Sequence, residues 1–294
     1  MNSISVIITS AHEPQTVGRA LKAILDQDFP DIIEILVVAP DKETFEAAKQ
    51  VAKDHPKVKL LQDSGMGKPT ALNSAFKKVL GEILVLTDGD VYLAPGSLRL
   101  LLDPFKDSQV GGTCGRPVST NPKDNMFGFW SHFLTDSAHQ IRLDRFQKGQ
   151  FIELSGYLLA IRKNLIKPLP ASVLADDSYL SHLVAKAGFQ TFYTPEAKVF
   201  VKYPTTLTDW FKQKRRSSFE YWQKDYSSGE VMRSPFKEAV AGLKLALVYP
   251  KNIKEVVWLK FLFLARISLW LQIFFTKINP FSSKKLWQTV KSTK

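Results

Sequence analysis

Apolar positions along the first ninety residues fall into two alternating rhythms. Short unbroken runs, Ile4–Thr9, Ile32–Val38, Val58–Leu61 and Ile83–Thr87, have the length and β-branched content of buried strands. Between them lie segments with apolar residues three or four apart, which predict amphipathic helices. The first carries Val17, Ala20, Leu21, Ile24 and Leu25 on one face, with Pro14 placed as a first-turn residue. The next two cover Glu43–Lys53 and Pro69–Leu80. Strand, helix, strand, helix in this order predicts an α/β fold: a doubly wound, mostly parallel sheet with right-handed crossovers. Ligands of such sheets bind at the carboxyl ends of the strands.

The second half is less regular. Val110–Val118 and Tyr157–Arg162 read as strands, and Met126–Phe146 as a helix carrying Phe127, Trp130, Phe133 and Leu134. Asp176-Asp177 opens a helix closed by Gly188, and Trp210–Trp222 is aromatic and basic. A last apolar block, Val256–Phe275, has twenty residues, long enough to cross a bilayer as a helix. Lys260, Arg266, Ser268 and Gln272 interrupt it. About sixteen apolar residues contribute roughly −6 kcal/mol to insertion, and the two charges cost roughly +5 to +7 kcal/mol. A span is therefore marginal. The charges lie on different faces, so no clean interfacial helix is evident, and a buried C-terminal helix is the alternative.

Charge sharpens the division. The chain of 294 residues carries a net +12, yet Val231–Lys294 holds twelve basic residues against Glu238 and Glu255. That places nearly all of the excess in the tail, alongside Trp, Phe and Leu. The combination favours an anionic membrane surface over nucleic acid. The single cysteine, Cys114, excludes an internal disulfide and suits a reducing compartment. No basic leader or cleavage signal precedes Ile4, so the cytoplasmic side is expected.

The chemistry-bearing feature is Asp88-Gly89-Asp90, directly after Ile83–Thr87. Residues i and i+2 of an extended chain face the same side, so both carboxylates can meet one hard cation such as Mg²⁺ or Mn²⁺. The same residues also make an ordinary polar turn. Lys68 sits in the Gly65-Met66-Gly67-Lys68 loop at a helix start, placed for phosphate or base, or simply as a capping loop. The five histidines show no metal-ligand spacing.

Taken in order, Ile4–Ile8 with Glu13, Gly67–Asn73, Asp88-Gly89-Asp90, Asp176-Asp177 and Gln213-Lys214-Arg215-Arg216 resemble family 2 glycosyltransferases. These are inverting GT-A enzymes, and the cellulose, chitin and hyaluronan synthase branch is the most similar. The resemblance covers roughly residues 3–220. It implies a GT-A domain over residues 1–230, with a nucleotide-sugar half at 1–118 and an acceptor half at 119–230. A basic, hydrophobic, membrane-associated helical tail follows at 231–294. It further implies that Asp88 lies near the ribose or metal shell and that Asp90 holds Mn²⁺ or Mg²⁺. Asp177 becomes the base for the acceptor hydroxyl, with Asp176 in the place of a family Glu; a helix-capping role is the alternative for this pair. Gln213 and Arg216 fit the family's Gln-x-x-Arg-Trp motif, with Arg216 on the diphosphate. Ser217 replaces the Trp, which puts processive transfer in doubt. Trp210 or Trp222 is a substitute stacking platform or a core residue. Glu13 is expected near the nucleobase, and Asp41 near uracil or ribose.

The implied reaction moves a hexosyl or N-acetylhexosaminyl unit from a nucleotide-sugar donor, UDP-linked in the leading reading, to a glycan or lipid-linked acceptor at the cytoplasmic face of a membrane. Two other classes remain. One is a haloacid-dehalogenase-like phosphatase, whose nucleophile motif Asp88-Gly89-Asp90-Val91 imitates. The other is a membrane-bound scaffold without turnover.

Overall fold

Four of the predicted apolar runs become parallel strands lying side by side: β1 (Ile4–Thr9), β2 (Ile32–Ala39), β3 (Val58–Gln62) and β4 (Ile83–Asp88). Helices α1 (Val17–Leu25), α2 (Lys42–Ala52) and α3 (Lys68–Phe76) connect them. The computed structural model describes residues 3–27, 29–219, 232, 242–243, 245–278 and 290–293. Within these, a single eight-stranded sheet runs in the order β3-β2-β1-β4-β7-β6-β8-β5. The added strands are β5 (Val91–Leu93), β6 (Val110–Ser119), β7 (Leu158–Arg162) and β8 (Gln190–Val201). β7 is antiparallel to both β4 and β6, and β5 is antiparallel to β8. The parallel block is thus extended by a mixed one. Leu84 and Val85 are fully buried although they point to opposite faces, because helices cover both sides of the sheet.

The remaining helices are α4 (Ser97–Leu102), α5 (Met126–Gln147), α6 (Asp176–Lys186), α7 (Leu207–Phe219) and α8 (Ile253–Ile278). Three differences from the sequence expectations have local causes. Pro14 lies in a turn, because the Glu13 carbonyl accepts from Thr16 and Val17 N–H and starts α1 only at Val17. α3 stops at Phe76 instead of Leu80, because the Leu80 amide leaves the helix to donate to Glu34 Oε1 at 2.6 Å. β8 contains Pro195 and pairs with β6 through a register shift, so its alternation is broken where a strand signal is read.

α8 is neither fully buried nor free. Leu259, Leu262, Ala265, Leu269 and Ile273 form an inner stripe packed with Phe129, Trp130 and Phe133 of α5 and Trp210 of α7. Trp130 Nε1 donates to the Trp258 carbonyl at 2.7 Å. Phe261, Leu264, Ile267, Leu271, Phe274 and Phe275 stay exposed on the other side. Ile253–Phe275 is long and apolar enough to cross a membrane by length and composition, with 28% of its most apolar window buried. Trp210, 3% exposed and edge-on to Trp130 at 5.5 Å, is a core residue and not a stacking platform. Trp222 lies outside the described residues.

Glu34 ties the parallel block together from inside. Its carboxylate accepts from Ser5 Oγ at 2.7 Å, from Leu80 N–H at 2.6 Å and from Lys59 Nζ at 2.7 Å. Burial pushes this carboxyl up, but Lys59, Ser5 and Leu80 together outweigh burial and hold it below the usual range. Its stabilising effect is therefore full above the unfolded carboxyl value of about 4.3 and is lost as pH falls through the lower folded value. Glu34→Ala is expected to cost about 2–4 kcal/mol in urea unfolding at pH 7, by leaving the Ser5 hydroxyl and Leu80 amide unpaired. Relative to wild type the loss should shrink only as pH falls through the lowered folded value, where Glu34 becomes protonated in the folded chain as well.

Candidate active site

At the carboxyl edge of the sheet, β1 and β4 end side by side, with Thr9 paired to Asp88. The order β3-β2-β1-β4 reverses direction of winding here, which opens a crevice between the loops that follow β1 and β4. Thr9 Oγ1 donates to Asp88 Oδ1 at 3.0 Å, and Gly89 N–H to the Thr9 carbonyl at 2.9 Å. A Cβ on Gly89 would overlap Ser10 Oγ and stand 2.9 Å from Glu13 Oε2. Only glycine lets the β4 loop press against the β1 loop, and that contact directs both neighbouring carboxylates. Asp88 and Asp90 both line the resulting cavity of about 900 Å³.

Lys68 enters from the first turn of α3. Gly67 precedes it with φ 100°, a left-handed value that admits glycine without strain. Lys68 Nζ lies 2.8 Å from Asp88 Oδ1 and 3.3 Å from Asp176 Oδ2. Burial by itself would lower the ammonium pKa, but Asp176 and Asp88 outweigh it and raise it well above the ordinary lysine range. Asp176, 9% exposed, is pushed up by burial and by Asp177 and Asp88, with Lys68 pulling the other way.

Neither acid at the start of α6 caps it. The N-cap is Ala175, which makes no side-chain hydrogen bond. Asp176 and Asp177 occupy the first helical positions, one residue too late for capping. Asp177 instead reaches across to the loop before β7: its Oδ2 accepts from Gly156 N–H at 2.8 Å and its Oδ1 from Ser178 N–H at 3.0 Å. Ser181 Oγ donates to the Asp177 carbonyl at 2.6 Å and accepts from Leu154 N–H at 2.8 Å, so helix and loop are locked.

Gln213 and Arg216 lie one turn apart on α7 and line the same cavity, as does Ser217. Gln213 Oε1 is buried with no hydrogen-bond partner among the described residues. Asp41 is the N-cap of α2, its oxygens accepting from Thr44 N–H at 2.9 Å and His12 N–H at 2.7 Å. Glu13 Oε2 accepts from Ser10 Oγ at 2.8 Å. Both acids form cavity wall. All nine residues expected at the site therefore border one cavity. Sequence reasoning did not find Tyr157, Tyr203 or Arg142, which line it too. The two tyrosines share a hydrogen bond, and burial pushes the Tyr157 hydroxyl up to about 12. Tyr203 follows β8, the strand whose signal is broken by Pro195, and Arg142 sits in no motif.

The donor set is one of hard oxygens. Among the described residues no group of three or more His, Cys, Asp or Glu side chains stands together as a closed metal cage. Two carboxylates facing an open cavity fit instead an ion that shares its coordination with a substrate's phosphates.

A family profile described as glycosyltransferase like family 2 matches residues 2–219. The chain belongs to that family. Family membership displaces the phosphatase alternative. An N-acetylglucosaminyltransferase of Rhizobium meliloti (strain 1021) is 24% identical over 257 residues, covering 80% of this chain and 59% of that protein. The hyaluronan synthase of Streptococcus pyogenes serotype M1 is 25% identical over 269 residues, covering 84% of this chain and 60% of that protein. The chain thus spans about three fifths of the length of these relatives. Among solved structures, the mannosyltransferase PcManGT from Pyrobaculum calidifontis, in complex with GDP-Man and Mn²⁺, superposes with a TM-score of 0.64 at 22% identity. The match covers 96% of this chain and 82% of that one, and the shared fold is GT-A.

Removing the Lys68 charge should expose the cost of the acids it separates. Lys68→Met is expected to unfold at lower denaturant than wild type at pH 7. Asp176 has a raised folded pKa, so its cost is present above that value and vanishes below the unfolded value of about 3.9. The gap between variant and wild type should therefore close as pH falls toward 4, measured by urea midpoints. A gap independent of pH would mean that Lys68 acts by packing alone.

Proposed function

We propose that this chain is a divalent-metal-dependent, inverting glycosyltransferase. In this reading it transfers a hexosyl or N-acetylhexosaminyl unit from a nucleotide-diphosphate sugar, with UDP-linked donors leading, to a hydroxyl of a glycan or lipid-linked acceptor. The observation that carries the reading is convergence. Four separate elements bring Asp88 and Asp90, Lys68, Asp177, and Gln213 with Arg216 to one cavity. Family membership and relatives named N-acetylglucosaminyltransferase and hyaluronan synthase support it.

The chemistry divides between the two sides of the cavity. Breaking the bond from the anomeric carbon to the diphosphate places negative charge on the leaving oxygens. Arg216 and Lys68 are the cations on hand to offset it, Arg216 through paired N–H donors. Asp88 and Asp90 are the residues that would hold Mn²⁺ or Mg²⁺, which supplies Lewis-acid stabilisation of that charge. On the other side, Asp177 takes the acceptor hydroxyl's proton as its oxygen forms the new bond to the anomeric carbon. Attack opposite the leaving diphosphate inverts the configuration. Two backbone N–H groups orient the base, Gly156 on Oδ2 and Ser178 on Oδ1, and a Cβ on Gly156 would sit 3.0 Å from Oδ2. A base in hydrogen-bond reach contributes on the order of 10²–10⁴ in rate.

The exposed apolar face of α8 supports membrane association of the enzyme. Its inner stripe is packed on α5 and α7, which favours a helix lying in the interface over a full span.

Two variants test the reading. Asp177→Asn is expected to keep donor binding, seen as a thermal shift with a UDP-sugar and Mn²⁺, while losing at least about 100-fold in transfer. Asp90→Ala is expected to lose the Mn²⁺-dependent shift itself. Hydrolysis of simple phosphomonoesters, or no stabilisation by UDP-, GDP- or dTDP-sugars with metal, would overturn the assignment. Donor binding without any turnover in wild type would mark a scaffold.

A further inference from the structure

The acceptor end of the cavity contains a cation that no step above uses. Arg142 lies on α5, is 3% exposed, and lines the cavity on the face it shares with Leu134 and Ala138, at i−8 and i−4. Its Nε donates to the Glu153 carbonyl at 3.2 Å. The described residues place no carboxylate within ion-pair distance of it. The nearby Asp136 is engaged elsewhere, accepting from Arg116 at 3.2 Å and from the Tyr249 hydroxyl at 2.8 Å. A buried guanidinium without a counter-charge is costly, and such charges are normally paired. The carbonyl it holds belongs to the 153–156 loop, whose Gly156 N–H orients Asp177. Arg142 from α5 and Asp177 from α6 therefore hold the same loop, and both line the cavity.

We propose that Arg142 forms an anion subsite for the acceptor, binding a phosphate or carboxylate carried next to the hydroxyl that is glycosylated. This rests on the glycosyltransferase reading and narrows it to acidic acceptors. A planar fork with remaining N–H donors open to the cavity suits either oxyanion, and a guanidinium–oxyanion pair is about twice as strong as a neutral hydrogen bond.

The test compares matched acceptors: N-acetylglucosamine 1-phosphate against N-acetylglucosamine, and methyl glucuronide against methyl glucoside. For wild type, kcat/KM is expected to favour the charged member of one pair by about 10- to 100-fold, and which pair responds separates phosphate from carboxylate. Arg142→Gln should collapse that preference, and Arg142→Lys should keep part of it. Ala138→Glu leaves the Glu153 clamp intact and sets a carboxylate one turn before Arg142, so it should also collapse the preference. No preference in wild type, or charged and neutral acceptors falling together in Arg142→Gln, would overturn the subsite and leave Arg142 a clamp for the loop. Binding of the charged probes to UDP-saturated protein, followed by calorimetry in wild type and Arg142→Gln, reads the subsite without turnover. Binding lost in the variant supports it, and equal binding overturns it. The donor thermal shift reports separately on the glycosyltransferase reading.

Discussion

The Lys68 ammonium between Asp88 and Asp176 is the interaction on which the cavity depends. Seven carboxylates border one volume: Asp88, Asp90, Asp176 and Asp177, with Glu13, Asp41 and Asp63 further along its wall. Two like charges at contact distance repel by several kcal/mol even at an effective dielectric near 20, and an opposite charge between them returns about the same amount. Lys68 touches Asp88 at the end of β4 and Asp176 at the start of α6, so it ties these two walls of the cavity together. Arg142, Lys214 and Arg216 are the other long cationic side chains on its lining. In the proposed reaction an arriving nucleotide diphosphate would bring its own cation, and Asp88 and Asp90 on the cavity wall are the carboxylates that would receive it.

That geometry in turn rests on packing well away from the acids. α7 carries Gln213 and Arg216, and its position is set by Trp210 wedged edge-on against Trp130 of α5. α8 covers the far side of the same aromatic cluster. The helix with an exposed apolar face and the helix that carries Gln213 and Arg216 thus share one core. On the other side, α5 continues from that cluster to Arg142, so one 22-residue helix runs from the α8 contact to the cavity wall.

Much of this was legible from the chain itself. The four parallel strands and three helices follow from apolar runs and helical spacing, because both faces of that sheet are covered and every strand position is under the same demand for burial. The Asp88-Gly89-Asp90 turn, the Gly67-Lys68 helix start, the Asp176-Asp177 pair and the Gln213–Arg216 spacing are local in sequence, and they were found. β8, α4 and β5 were not. Pro195 breaks the alternation of the first, and the others have six and three residues, too few for a period to register.

The sequence by itself determined which residues carry charge, which runs must be buried, and where strands end, because those depend on side-chain chemistry and short-range spacing. Tertiary structure alone decided their partners. It turned Asp177 from a candidate cap into a carboxylate bonded to the loop before β7, made Trp210 a core residue, and gave Asp41 to the start of α2. It also gathered Arg142, Tyr157 and Tyr203, which no motif connects. Contacts between residues about 20 to 110 positions apart, such as Gly156 with Asp177 and Lys68 with Asp176, depend on how strands order in the sheet. Sheet order is settled by the packing of the whole chain, and no local pattern records it.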